Sequence, residues 1–128
     1  MNKVGLILLL IILTVSCSTK TKYLNGNWRQ VFVGFEGEKE GFGIVSDSAI
    51  VSVDLKKPYQ IQFDYQDGLD LDQADSISYH YPQLIFRKLN YNKTYNRYNL
   101  IYDQNCDCFN GNFKSFNGNK IKVKWVRN

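Results

Sequence analysis

The sequence predicts an all-β domain, a small antiparallel up-and-down barrel of about eight strands, with a two-sheet β-sandwich as the alternative. Three observations support this fold class. Apolar and polar residues alternate with period two along most of the chain, turn-forming residues separate these segments, and no long window carries a capped helical pattern. A closed barrel is the first choice because closure removes exposed strand edges.

The alternating segments define the predicted strands. The clearest segment spans 59–65, where the apolar and aromatic residues occupy every second position: Tyr59, Ile61, Phe63 and Tyr65. The full set of predicted strands is 28–33, 49–55, 59–65, 76–81, 84–89, 95–102, 109–116 and 120–127.

The connections between these segments carry turn chemistry. Asn117, Gly118 and Asn119 predict a tight hairpin turn, because Asn and Gly tolerate positive φ. Pro82 separates two neighbouring strands at a position where its missing N–H costs no ladder hydrogen bond. No window has convincing helical periodicity with caps, although residues 69–74 could form one helical turn.

The N-terminus has the layout of a secretory signal. Lys3 precedes an apolar run over 4–15, and Ser16 stands before Cys17. The run is shorter than the roughly 20 apolar residues that span a bilayer, so an uncleaved transmembrane anchor is the weaker alternative. The expected division is a signal peptide over 1–16, a tether over 17–23 and the barrel domain over 24–128.

Residues 13–17 resemble the lipobox of bacterial lipoproteins, although Thr14 stands where that motif usually has Leu. The resemblance implies that acyl chains such as palmitate are attached to Cys17 and hold the protein at a membrane of the bacterial cell envelope. Ser18, in place of an Asp, points to the outer membrane.

Charge and composition exclude several other functions. The formal net charge is +4, and the basic residues are dispersed except for Lys120, Lys122 and Lys124, which alternate along one strand face. Such a field is too small for nucleic-acid recognition. A single His80 without a placed nucleophile does not form a catalytic triad, so an enzyme is not expected, and neither is a cofactor.

The two ends of the domain share a further motif. Gly26 and Trp28 open it as Gly-x-Trp, and Arg127 lies one residue before the end of the sequence. This pair of ends resembles lipocalins and the wider calycin group. The resemblance implies that Trp28 and Arg127 are fold residues joined by a cation–π contact within about 6 Å. It also implies a lipocalin-like lipoprotein.

Bulky side chains are predicted to face the barrel interior. An eight-stranded barrel is just wide enough to be filled by its own side chains or to hold one small molecule, and both outcomes stay open here. The candidate ligand-lining residues are Phe32, Phe63, Tyr65, Tyr79, Phe86, Tyr98, Tyr102 and Phe113, beside Trp28, Ile61 and Trp125.

Two loops have unusual compositions. The glycine-rich segment 34–43 has Phe35 and Phe42 near its ends and is interpreted as a solvated hairpin loop, with a lid over the barrel as the alternative. Segment 64–75 is rich in Asp, but its spacing does not match an EF-hand, so a solvated acidic loop is favoured over a calcium site. No metal site is expected.

Cys106 and Cys108 form the remaining cysteine pair. A disulfide is favoured because exported proteins meet an oxidising environment. On a regular strand the two Cα atoms would lie ~6.6 Å apart, near the upper limit for a disulfide, so a bulge or turn is needed. A reduced pair and a zinc site are the alternatives, and His80 alone adds too few ligands for zinc.

The leading functional hypothesis is a membrane-anchored binding module for a small apolar or amphipathic ligand. The alternative is a structural or inhibitory envelope lipoprotein that binds another protein through its loops. An internal cavity lined by Tyr and Phe would favour the first hypothesis, and a filled interior with exposed apolar loop residues would favour the second.

Overall fold

The computed structural model describes residues 24–35 and 49–128, without the side chains of Phe32, Val33 and Phe35. The described strands are β1 (Gly26–Phe35), β2 (Ile50–Asp54), β3 (Gln60–Asp64), β4 (Asp72–His80), β5 (Gln83–Leu89), β6 (Tyr95–Asp103), β7 (Cys108–Lys114) and β8 (Lys120–Arg127).

These strands form one closed antiparallel barrel in which sequence neighbours are also spatial neighbours. The last strand pairs with the first, with Trp28 opposite Arg127, so the sheet has no free edge between β8 and β1. The predicted up-and-down barrel is therefore confirmed, and the two-sheet sandwich is wrong.

Antiparallel order gives the barrel two distinct ends. At the closed end lie the start of β1, the Tyr81–Pro82 turn, the turn between β6 and β7, and the end of β8. At the opposite end, called the mouth, lie the connections between β3 and β4, between β5 and β6, and between β7 and β8.

Alternation along the strands builds the core. In β3, for example, Ile61 and Phe63 are buried while Gln60 is exposed. Each fully buried large apolar side chain contributes about 1.5–3 kcal/mol through the hydrophobic effect. The largest fully buried side chains are Trp28, Trp125, Tyr98, Phe63, Phe86, Phe109, Leu24, Ile61, Leu84, Leu100, Gln30 and Val51.

The segment before β4 differs from the sequence prediction. β4 begins at Asp72 and not at the predicted position 76, and the stretch 69–74 forms no helical turn, because Asp72 and Gln73 pair with Phe63 and Gln62 of β3. Side chains in this stretch are mostly exposed, so no apolar alternation marks the strand start in the sequence. The register of β4 against β5 then shifts between Asp75 and Ser78.

Two glycines are required by the local geometry. Gly118 adopts φ 89° in the hairpin between β7 and β8, where its N–H donates to the Ser115 carbonyl at 2.9 Å, as the turn chemistry predicts. At Gly111 a Cβ atom would overlap the backbone carbonyl oxygen of Asn99, so β6 and β7 approach closely there only because Gly111 has no side chain.

The ranges 24–35 and 49–128 contain no helix that combines the length and apolar character required to cross a membrane.

Candidate functional site

A cup of about 1150 Å³ opens at the mouth of the barrel. Its walls come from the β3–β4, β5–β6 and β7–β8 connections and from the adjoining strand ends. Apolar side chains provide part of the lining, and Phe113 and Ile121 are the ones among them that also belong to or pack against the core.

Below the cup the described part of the barrel is filled by aromatic rings. Phe86 and Tyr98 stack at 4.7 Å between ring centroids, and Phe63 lies 5.5 Å from Tyr98. Trp125 contacts Phe109 edge to face at 5.6 Å. The sequence leaves open whether the interior is filled by side chains or has room for a small molecule. In the structure the lower barrel is packed and the upper part is an open cup.

Lys88 is a buried cation in the lining of this cup. It follows Leu84 and Phe86 on the inward face of β5 and is only 5% exposed. Its ammonium donates to the Tyr65 hydroxyl at 2.5 Å and lies 3.4 Å from Oδ2 of Asp72. It also lies 4.7 Å from the centroid of the Tyr65 ring, within reach of a cation–π contact.

Burial controls the protonation of this amine. Loss of solvation lowers the pKa of Lys88 below its ordinary value of 10.5, and the carboxylate of Asp72 opposes that shift. Because a buried charge is costly unless it is well paired, the loose contact with Asp72 leaves the Lys88 ammonium incompletely compensated.

A second polar group lies deeper in the barrel. Gln30 is fully buried in β1, and its Oε1 accepts a hydrogen bond from the Trp125 indole N–H at 3.0 Å. This bond fixes the orientation of the amide, since only Oε1 can accept. Among the described residues, the buried Nε2 of Gln30 and the buried hydroxyl of Tyr98 make no hydrogen bond of regular geometry, although the Gln30 amide lies close enough to the phenol to affect its pKa.

Tyr98 shares an environment with the groups around Lys88. Burial raises the pKa of Tyr98 well above 10.0, Tyr65 and Asp72 raise it further, and the Gln30 amide opposes the change. The phenol therefore stays neutral and available as a hydrogen-bond donor over the physiological range.

Exposed apolar side chains surround the cup opening. Leu69 is 74% exposed, Tyr91 95% and Phe116 65%, and the less exposed Leu71 and Leu89 lie on the same loops or strand ends. Single exposed apolar residues are ordinary, but a concentration around one opening marks an interaction surface.

The closed end carries the fold motif predicted from the sequence. The Arg127 guanidinium lies 4.1 Å from the centroid of the Trp28 ring, within the predicted cation–π distance. The indole N–H of Trp28 donates to the Leu24 carbonyl at 3.1 Å. Gly26, with φ 128°, lies beside Arg127, whose Nη1 would be 3.9 Å from an added Cβ.

A disulfide joins Cys106 and Cys108 in the turn beside this motif. The two Cα atoms are 5.2 Å apart, because Asp107 between them adopts φ 48° and turns the chain. The Asp107 carboxylate accepts hydrogen bonds from the Tyr102 hydroxyl at 2.6 Å and from Nε of Arg127 at 3.2 Å.

The predicted ligand-lining residues fall into different places. Tyr65 and Phe113 line the cup, whereas Phe63, Phe86 and Tyr98 belong to the packed barrel below it. Tyr102 packs at the closed end against Trp28, and Tyr79 is half-buried beside Tyr59. Cys17, the side chain of Phe32, and segment 34–43 beyond residue 35 lie outside the described residues.

The sequence interpretation missed Lys88, Gln30 and Asp72. The alternation of inward and outward residues along a strand could have identified the first two. Lys88 is two residues after the inward Phe86, and Gln30 is two residues after the inward Trp28, so each pair shares a strand face. Both were overlooked because polar residues are not expected inside a barrel. The third, Asp72, lies outside the predicted strand 76–81, although the observed β4 begins with it.

The acidic segment 64–75 makes local backbone contacts. The carboxylate of Asp64 accepts the N–H of Gln66 at 2.8 Å, and that of Asp67 accepts the N–H of Leu69 at 3.0 Å. These are turn-forming contacts typical of Asp. Within the described ranges there is no group of three or more His, Cys, Asp or Glu side chains placed to hold a metal ion.

Comparison with protein families, with curated proteins and with solved structures finds no match for this chain.

Proposed function

We propose that this chain is a lipid-anchored, lipocalin-like protein of the bacterial cell envelope that binds a small apolar or amphipathic molecule in the cup at the barrel mouth. The observation that carries this proposal is the cup itself, an open volume of about 1150 Å³ above a packed aromatic floor. Ligand sites typically combine mostly apolar walls with a few polar groups that fix orientation, and this cup has both.

The anchor belongs to the same proposal. Acylation of Cys17 would place the lipid seven residues before Leu24, which lies at the closed end beside Trp28. A tether of that length reaches at most about 25 Å when fully extended. The mouth lies at the opposite end of the barrel, so it would open away from the anchoring membrane, toward ligands in the aqueous compartment.

Ligand binding is tested with the full chain carrying Cys17→Ala, which lacks the proposed acyl acceptor. A neutral environment-sensitive dye such as Nile red should bind with increased emission, and added 1-dodecanol should displace it. Ile121→Trp, which places a larger side chain in the cup lining, should abolish dye binding. Ile101→Trp is the matched control, because Ile101 is 51% exposed and does not line the cup. Equal loss in both variants, or no binding by the parent protein, would contradict the proposal.

Lipid anchoring is tested by metabolic labelling with an alkyne fatty acid. Cys17→Ala should remove the label, while the neighbouring Ser18→Ala should keep it. Continued labelling of Cys17→Ala would show that acyl chains are attached elsewhere or that the label is unspecific, and the anchor proposal would fall.

The exposed apolar side chains around the opening favour a second candidate, in which the mouth binds another envelope protein. A photo-cross-linking amino acid at position 91, where Tyr91 is 95% exposed at the mouth, would test it in intact envelopes. Position 81 is the control, since Tyr81 lies at the closed end. A discrete adduct from position 91 alone would favour this candidate, and no adduct from either position would oppose it.

A further inference from the structure

Five cations lie together on the outside of the barrel wall, across β6, β7 and β8. Lys120, Lys122 and Lys124 occupy alternate outward positions of β8. The register adds two more, because Arg97 of β6 is paired with Lys114 of β7, and Lys114 is paired with Lys120. These five residues are called the basic face. Only its β8 members can be grouped from the sequence, since the other two join through pairing between strands.

The charge of the basic face is not balanced within its own strands. The strands β6, β7 and β8 contain one acidic residue, Asp103, which lies at the closed end of β6. On the neighbouring β5, by contrast, Arg87 has a carboxylate partner in Asp75 at 2.8 Å. Like charges directly opposite one another destabilise a sheet, so the row from Arg97 to Lys120 is unfavourable for folding. Such a concentration of one charge attracts anionic partners.

Asparagine side chains lie between the cations. Asn99 and Asn112 are paired across β6 and β7, and Asn112 is also paired with Lys122. In the next row toward the closed end, Asn110 is paired with Lys124. An amide side chain has both N–H donors and a carbonyl acceptor, so this surface can hydrogen-bond hydroxyl groups as well as attract anions.

We propose that the basic face binds an acidic polysaccharide, a chain of hydroxylated sugars that carries carboxylate or sulfate groups. The cations bind the anionic groups, and the asparagine amides bind the sugar hydroxyls. Successive lysines of β8 are about 6.8 Å apart, twice the rise of an antiparallel strand, so one extended chain can contact all three. The basic face lies outside the cup, and the inference therefore goes beyond the proposed function and does not depend on it.

Two other polyanions match this surface less well. Single-stranded nucleic acids are typically held by aromatic rings on which the bases stack, and anionic membrane surfaces by apolar side chains that enter the lipid beside the cations. The surface has no aromatic residue, and Ile101 is its one apolar residue, at the corner nearest the closed end. The outward positions concerned are 97, 99, 101, 110, 112, 114, 120, 122 and 124.

The test measures binding of fluorescently labelled polymers to the full chain carrying Cys17→Ala, at equal concentrations of polymer charge. Alginate carries carboxylates and dextran sulfate carries sulfates, so the one that binds more tightly identifies the acidic group. Its affinity should fall steeply as salt rises from roughly 50 to 200 mM. Neutral dextran should not bind. Poly-L-glutamate, which has carboxylates but no hydroxyls, should bind at least about tenfold more weakly than the better polysaccharide.

A charge-matched pair of double variants locates the binding surface. Lys114→Gln combined with Lys122→Gln should weaken polysaccharide binding about tenfold, because two surface ion pairs are lost. Lys56→Gln combined with Lys57→Gln is the control, since both lysines are exposed in the connection between β2 and β3. The control should bind within about twofold of the parent. Circular dichroism confirms that each variant is folded.

The asparagines are tested separately from the charge. Asn99→Ala combined with Asn112→Ala should remove the advantage of the polysaccharide over poly-L-glutamate and leave the affinity for poly-L-glutamate unchanged. Nile red binding to these variants should match the parent, because the basic face lies outside the cup. Failure of this inference and failure of the proposed function are therefore observed in different measurements.

Several results would overturn the inference. Equal weakening by the two lysine pairs would reveal a response to net charge alone. Equal affinities for poly-L-glutamate and the polysaccharides, or an advantage that survives the asparagine changes, would mean that sugar hydroxyls are not recognised. Tighter binding of oligothymidylate or of phosphatidylglycerol vesicles would assign the basic face to nucleic acid or to a membrane surface instead.

Discussion

The guanidinium of Arg127 lies 4.1 Å from the centroid of the Trp28 ring, and the two residues are also direct partners in the register between β1 and β8. The contact therefore coincides with the pairing that closes the barrel. Asp107 holds the guanidinium in place through Nε at 3.2 Å. One cation thus links the first strand, the last strand and the turn between β6 and β7.

This arrangement predicts energetic coupling between Arg127 and Trp28. A double-mutant cycle with Arg127→Met and Trp28→Phe should give a coupling free energy of about 0.5–2 kcal/mol, because each single change weakens the same cation–π contact. Urea denaturation measures the four free energies of unfolding. Strict additivity would mean that the contact adds no stability beyond the packing of each residue alone.

The disulfide is predicted to act partly through Asp107. Closing a loop this short stabilises a fold by about 1–2 kcal/mol through the unfolded chain alone. In the folded state it also fixes the turn in which Asp107 adopts φ 48° and accepts bonds from Tyr102 and Arg127.

Reduction should therefore lower the free energy of unfolding more in the parent protein than in Asp107→Ala, which lacks those bonds. Asp107→Asn is the control for the backbone, since Asn also tolerates positive φ. The measurement is urea denaturation with and without a thiol reductant. An equal effect of reduction in parent and Asp107→Ala would show that the bridge does not position the carboxylate.

The sequence predicts the barrel because burial follows local alternation. Ile61 and Phe63 alternate with polar residues, and burial on one face of a strand requires that pattern. The closing contact follows too, since Arg127 shares a strand face with Trp125 and only an aromatic ring or solvent can receive it. By contrast, Asp72 and Gln73 enter β4 through pairing with β3, a tertiary effect without a local signal.

The candidate site is harder to predict for a related reason. Lys88 and Gln30 lie at positions whose side chains face the barrel interior. Their polar groups can be buried there only because they have partners far away in the sequence. Tyr65 accepts from the Lys88 ammonium across 23 positions, and Trp125 donates to Gln30 across 95. Composition and period cannot reveal such pairs. The cup, likewise, depends on the lengths and paths of three connections.

Tyr98→Phe is predicted to leave stability unchanged or to raise it at neutral pH. The buried hydroxyl makes no hydrogen bond of regular geometry among the described residues, and an unsatisfied buried group costs about 1–3 kcal/mol. At alkaline pH the two proteins should diverge. In the unfolded chain the phenol ionises near its usual pKa of 10.0, whereas burial raises the pKa of Tyr98 in the folded barrel.

The parent protein should therefore lose stability relative to Tyr98→Phe as the pH rises above 10.0, since only its unfolded state gains from ionisation. Urea denaturation across this range measures the difference. Tyr91→Phe, at a position that is 95% exposed, should behave like the parent. A constant difference above pH 10.0 would contradict the buried, neutral phenol.

Lys88 should give the opposite pH dependence. Burial lowers the pKa of its amine below 10.5 in the folded state, while the unfolded chain keeps the ordinary value. Between those two values the unfolded state binds more protons, so stability rises with pH. The free energy of unfolding of the parent should therefore increase relative to Lys88→Met as the pH rises toward 10.5. Working in the Tyr98→Phe background removes the phenol's contribution. Lys93→Met, which removes an exposed amine of the same cup, should show no such rise. A flat or falling difference for Lys88→Met would mean that the Lys88 ammonium is as well compensated in the barrel as in water.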